Sequence, residues 1–266
     1  MPIGCGNGRG LAVSAVLLGV LGGPPARYQA TQFACAGFAE ALQTTVQNQS
    51  GSATVGDRLH RSGTLMVRAA QGGDSLLIEA WYDSLEVVRE TTSGRESAET
   101  DGFLGGRYRG VLGADGRYQS RKVPFVPDDL ATQIDLEAAL DEFFPRLPPE
   151  GLAVGREWKD GQGFSIRRQD DSRERVGIVA HYSWTDTRRA GETIPAGDTV
   201  SVRLDQLIKE RGEMAWSDRF GPLSWIRHLT INARIPAIGG VRQGIHSVVV
   251  QDVSVIRRFD LESACR

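Results

Sequence analysis

Lysine is almost missing from this 266-residue chain: of 31 basic residues only Lys122, Lys159 and Lys209 are lysines. The arginine excess is read as the bias of a GC-rich bacterial genome. With 33 acidic residues the net charge is −2, and no clustered positive field of the kind nucleic acids require is visible. Histidine is scarce too. His60, His181, His228 and His246 are not spaced as metal ligands from one another or from a carboxylate. No serine sits in a G-x-S-x-G elbow, and the early GCGNGRG run lacks both the preceding strand and the spacing of a phosphate loop. Asp128-Asp129 and Asp170-Asp171 are adjacent carboxylates that read as loop residues. No catalytic constellation, cofactor or metal site is expected, and the chain reads as a non-enzyme.

Long apolar runs are also missing. The uncharged stretch from Gly10 to Gly23 follows Arg9 and has the length of a signal-peptide core, short of the roughly 18 residues a spanning helix needs. Residues 1–30 are therefore expected to be an export leader, cut after Ala26 or Ala30 or retained as an anchor. Residues 31–266 are expected to form one domain in the periplasm or on the extracytoplasmic membrane surface, with a possible subdivision near 145–151. An exported chain keeps two of the three cysteines, Cys35 and the penultimate Cys265. In an oxidising compartment the pair reads as a disulfide joining the two ends, with lipid attachment at Cys35 or free thiols as alternatives.

What the chain does have is alternation. Tyr182 and Trp184 share a face with Val176, Ile178 and Ala180, and Trp225, Leu229, Ile231, Ala233 and Ile235 share another. Asp115-Gly116 marks a tight hairpin. Helical patterns are few. Phe38, Leu42 and Val46 at steps of four predict a short helix over 37–49, followed by a loop at SGSATVGD. Leu136, Ala139, Leu140, Phe143 and Phe144 predict a helix that Pro145 stops. Residues 93–106 lack periodicity and read as a mobile loop. The expected fold is mainly β: a strongly curved antiparallel sheet or open half-barrel with one or two short helices against it.

The segment FFPRLPPEGLAVGREWKDG carries a Pro-rich stretch and then a Gly-x-x-Trp landmark, at Pro145, Pro148, Pro149, Val154, Gly155 and Trp158. It resembles a landmark of uncharacterised exported bacterial β-rich proteins. The general layout resembles the periplasmic lipoprotein-carrier and mycobacterial lipid-carrier half-barrels, which cup acyl chains beneath helices. That resemblance implies an apolar cavity, and Trp81, Phe143, Phe144, Tyr182 and Trp184 are the candidates to line it. The expected role is binding a hydrophobic ligand. The alternative is an accessory subunit docked on membrane-protein subunits, with a filled core. No transmembrane helix is expected unless the leader is retained.

Overall fold

The computed structural model describes residues 25–148, 150–195, 201–236, 244–262 and 265. Residues 1–24 of the expected leader and Pro149 of the landmark lie outside them. Ala26 and Tyr28, near the end of the expected leader, pack into the core.

Twelve strands form one open antiparallel sheet. They are β1 (Ala36–Ser50), β2 (Ala53–Gly72), β3 (Ser75–Thr91), β4 (Gly94–Ser97), β5 (Tyr108–Leu112), β6 (Tyr118–Lys122), β7 (Glu157–Lys159), β8 (Ser165–Glu174), β9 (Gly177–Pro195), β10 (Ser201–Ser217), β11 (Gly221–Ile235) and β12 (Ile245–Arg258). Their order is β6-β5-β3-β2-β1-β12-β11-β10-β9-β8-β7, with β4 paired on β3. The sheet is not closed: β6 and β7 are its two edges. The only described helix is α1 (Asp128–Ala131), beside two short 3-10 turns.

This topology is two meanders joined at a central seam. β1 and β12 pair along Gly37 to Ser50, and the Cys35–Cys265 disulfide links the segments just outside that seam. Two-residue hairpins connect β1 to β2 and β2 to β3, as at Gly51-Ser52, where Gly51 takes a left-handed conformation (φ 59°) that a side chain would strain.

Two expected helices are not helices. Residues 37–49 lie in β1, and SGSATVGD is a tight turn followed by the start of β2. A spacing of four is a multiple of two, so Phe38, Leu42 and Val46 suit a strand face as well as a helix stripe. The deciding intermediate position, Glu40, is polar yet buried, which hid the alternation. Residues 137–143 form successive turns. Their bonds run from Ala139, Asp141 and Phe143 N–H to the carbonyls of Leu136, Ala138 and Leu140, three residues back rather than four. The Leu136 carbonyl also accepts from the buried Tyr108 hydroxyl at 2.6 Å. The apolar face survives nonetheless, since Leu136, Leu140, Phe143 and Phe144 are all buried. The 93–106 loop is also more ordered than expected: it holds β4 and returns Phe103 to the core.

Because β6 and β7 sit at opposite edges, the chain between them must cross the whole sheet. This strap, 123–156, runs over one face and forms the second layer of the core, contributing Leu130, Leu136, Leu140, Phe143, Phe144, Leu147 and Leu152. Tyr28 donates its hydroxyl to Pro145 O at 2.6 Å, Leu147 N–H donates to Asp115 O at 3.0 Å, and Arg168 donates to Leu152 O at 2.8 Å. At the Asp115-Gly116 turn the strap comes so close that a Cβ on Gly116 would lie 2.3 Å from Pro145 O. The landmark starts the return into β7: Gly155 has φ 74° and its N–H bonds Arg168 O at 2.9 Å, while Trp158 packs edge-on to Phe164.

Candidate binding surfaces on the open sheet

The strap covers only part of the sheet. β2 has 20 residues, a reach of about 65 Å. Burial along β1 therefore changes from Ala36, Phe38, Glu40 and Leu42, all buried, to an exposed end at Gln47–Ser50. On the strap-covered face three levels follow one another along the strands.

The first is the packed core. Phe143, Phe144 and Tyr182 lie in it, with Phe143 5.0 Å from Trp225 and 5.6 Å from Phe38 between ring centroids. It also holds charge. Glu40 receives a short hydrogen bond from Arg61 and another, at 2.7 Å, from the Tyr82 hydroxyl. Burial alone would lower the Arg61 pKa, but the surrounding Tyr82 and Glu40 outweigh it and hold the guanidinium firmly charged. Burial pushes the Tyr82 hydroxyl well above its ordinary range.

The second level is a polar belt. Glu210 stands opposite Asp186 in the β9–β10 pairing, and Gln251 stands opposite Thr44 across the seam. Trp184 lies over Gly212, where a Cβ would sit 2.2 Å from its ring, and its indole N–H donates to Glu210 at 2.7 Å. Burial raises the Glu210 pKa, with that indole bond opposing. From the strap, Glu142 meets Arg227 at 2.6 Å, and Arg227 also donates to Gln251 at 2.8 Å. Gln251 passes the chain on to Thr44 at 3.3 Å. Between strap and belt lies a cleft of about 380 Å³, to which Phe144 and Trp184 both contribute wall. Three of its carboxylates have protein partners: Glu142 pairs with Arg227, Asp186 with Arg188, and Glu210 with Trp184, while burial raises the pKa of the fourth, Asp141. It is a charged cleft rather than an apolar one.

The third level, beyond the belt, is apolar again. Ile208, Ile231, Val249 and Val46 form one continuous cross-strand row over β10, β11, β12 and β1. Leu229 and Ala233 flank it on β11, one level to each side. None of these six belongs to the main core cluster, although Ile208, Leu229 and Ala233 are buried and Val46, Ile231 and Val249 are half-buried. Polarity along the strands offered a signal for this break, since Thr44 and Gln251 interrupt two otherwise apolar faces. Only the register places them side by side.

The opposite face of the sheet carries a trough of about 910 Å³ across β2, β1, β12, β11, β10 and β9. The cross-strand row Ser62, Ala41, Ser254, Ile226, Glu213 and Ser183 forms one side of it. On the other side His228 pairs with Asp252 at 2.7 Å. Trp81 also belongs to this opposite face, away from the other four aromatic candidates, with the Arg107 guanidinium 3.6 Å over its ring. Among the described residues no cluster of His, Cys, Asp or Glu could hold a metal ion, and no helix is long and apolar enough to cross a membrane.

No family model and no curated protein matches the sequence. Solved structures do match the fold. The chain is similar to lipovitellin, in a structure concerned with its lipid–protein interactions, at 9% identity and a TM-score of 0.50. That match covers 85% of this chain but 25% of the lipovitellin chain, so this protein spans about a quarter of its relative. A DUF1329 family protein from Desulfovibrio piger matches at 11% identity over 86% of this chain and 88% of its own, with a TM-score of 0.18 that carries no structural argument. The lipovitellin likeness establishes a shared open-sheet architecture.

Proposed function

We propose that this protein is an exported, non-catalytic binding protein for a hydrophobic ligand, a lipid or acyl chain, held on its strap-side sheet face beyond the polar belt. One observation carries the reading: the apolar row Ile208–Ile231–Val249–Val46 lies outside the packed core, beyond a belt of charged and amide side chains. An apolar row set apart from the core cluster, and only half-buried at Val46, Ile231 and Val249, is suited to an apolar partner. The row crosses four strands, a span of about 14 Å, enough to seat much of an acyl chain. The disulfide linking the chain ends suits an exported protein, and the architecture shared with part of lipovitellin is compatible with lipid binding.

The test is purification of the native protein in mild detergent, mass spectrometry of co-eluting molecules, and titration of the stripped protein with a fluorescent fatty acid. Stoichiometric lipid, and at least about tenfold weaker probe binding by Val249→Asp at unchanged thermal stability, is the expected result. Stoichiometric membrane-protein subunits without lipid would make the protein an assembly component instead and overturn the reading.

A further inference from the structure

The outer face of the β2-β3-β5-β6 wing carries a feature that hydrophobic-ligand binding does not require. Arg68, Glu79, Arg109 and Lys122 stand in one cross-strand row, each directly opposite the next. Arg107 lies beside them, 3.9 Å from Glu79, and Arg121 joins the same surface depression. One carboxylate serves three guanidinium groups: Arg68 reaches Glu79 at 2.9 Å and Arg109 reaches it at 3.0 Å. Five cations against one anion leave a concentrated positive field on a chain whose total charge is −2. Leu77, exposed and one row away, gives this patch an apolar border.

Three residues after Lys122 comes Phe125, at 80% exposure the most exposed large hydrophobic side chain among the described residues. It is held out rigidly. Pro124 before it is buried against Gly106, where a Cβ would sit 2.7 Å from the proline ring, and Pro127 follows. Because Lys122 at the end of β6 stands opposite Arg109, the Phe125 loop leaves the wing at the same end as Arg107.

We infer that this wing docks the protein on an anionic lipid bilayer, with the arginine–lysine row meeting headgroup phosphates and Phe125 inserting at the interface. The charge is complementary, since an anionic leaflet attracts basic side chains within a Debye length. A lone protruding aromatic beside such charges is the side chain that partitions into the interfacial region. The arginine–lysine row lies on the face opposite the apolar row, and Phe125 on the strap that leaves its end, so docking and ligand binding are independent claims.

Flotation of the full, disulfide-bonded chain with vesicles of mixed phosphatidylglycerol and phosphatidylcholine tests it, with phosphatidylcholine-only vesicles and duplex DNA as parallel arms. Binding to the anionic vesicles alone is expected, and it is lost when salt rises from about 0.1 M to about 1 M. Arg109→Gln with Lys122→Gln is expected to weaken partitioning about 25-fold, at about fivefold per charge. Phe125→Ser, at a fully exposed position that leaves the fold untouched, is expected to weaken it about tenfold. Equal binding to both vesicle types, or unchanged binding by either variant at unchanged thermal midpoint, would overturn the docking. So would DNA binding as tight as vesicle binding that survives Phe125→Ser, which would mark a general polyanion patch.

Discussion

The two halves of the long strands are built from similar residues yet do different work. Near the seam's disulfide, Phe38, Leu65, Val255 and Trp225 are sealed beneath the strap, and even an ion pair is buried. Further along the same strands, Val46, Ile231 and Val249 keep the alternation but are only half-buried and lie outside the core that the strap closes among the described residues. The difference lies in what crosses above them, not in strand propensity. A sheet face becomes core only where another layer excludes water from it. The polar belt at Glu210, Gln251 and Thr44 marks where that second layer stops.

Breaking the sealed half should have the largest consequence. Reducing Cys35–Cys265 opens a loop of 230 residues, and the chain-entropy model assigns such a closure about 5 kcal/mol. Denaturant unfolding with and without reductant measures this directly. Hydrogen exchange should then show Phe38 to Leu42 losing protection toward the level of Asn48. Protection that stays put would mean the strap alone holds the seam.

Next in size is Arg61→Leu. It strands the Glu40 carboxylate among buried groups, where only the Tyr82 hydroxyl remains bonded to it, and is expected to destabilise by about 3–5 kcal/mol. Replacing both partners, Glu40→Leu with Arg61→Leu, should recover most of that loss. A double variant as unstable as the single one would show that the pair is more than a charge-matched filling of the core.

The smallest effect sharpens the boundary itself. Glu210 has a raised pKa in the folded chain, so the native state takes up its proton before the unfolded chain does. Stability from this group is fully present below the ordinary glutamate pKa and is lost as pH rises through the raised native value. Glu210→Gln keeps an acceptor for the Trp184 indole and removes that titration. Thermal midpoints compared between pH ~4.5 and ~7 should fall less with rising pH in the variant than in the parent. Parallel curves would show that the carboxylate is not desolvated at the belt.

Much of the fold is legible in the residues. Alternation around Tyr182, Trp184, Trp225 and Leu229 foretells antiparallel sheet, Asp115-Gly116 foretells the β5–β6 hairpin, and an even pair of cysteines beyond the expected leader foretells the bond that forms. Elsewhere local pattern misleads for specific reasons. Glu40 looks solvent-facing because its partner Arg61 is 21 positions away. The 136–144 segment has a helical apolar face, but Tyr108 takes its Leu136 carbonyl and the strap must travel across the sheet rather than coil. Trp81 shares its aromatic character with Tyr182 and Trp184, yet it faces the other side of the sheet, because facing is set by register.

The candidate surfaces were the least legible part. Composition shows arginine throughout, but only the pairing of β2, β3, β5 and β6 lines up Arg68, Arg109 and Lys122 around one glutamate. The sequence by itself determined that most segments alternate as strands with one apolar side and that Asp115-Gly116 turns a hairpin. Those properties depend on neighbours one to four positions apart. Tertiary structure alone decided which apolar rows became core and which stayed open. That choice depends on a strap running from one sheet edge to the other, and on cross-strand partners such as Gly37 and Arg258 at opposite ends of the chain. Local periodicity carries no information about either.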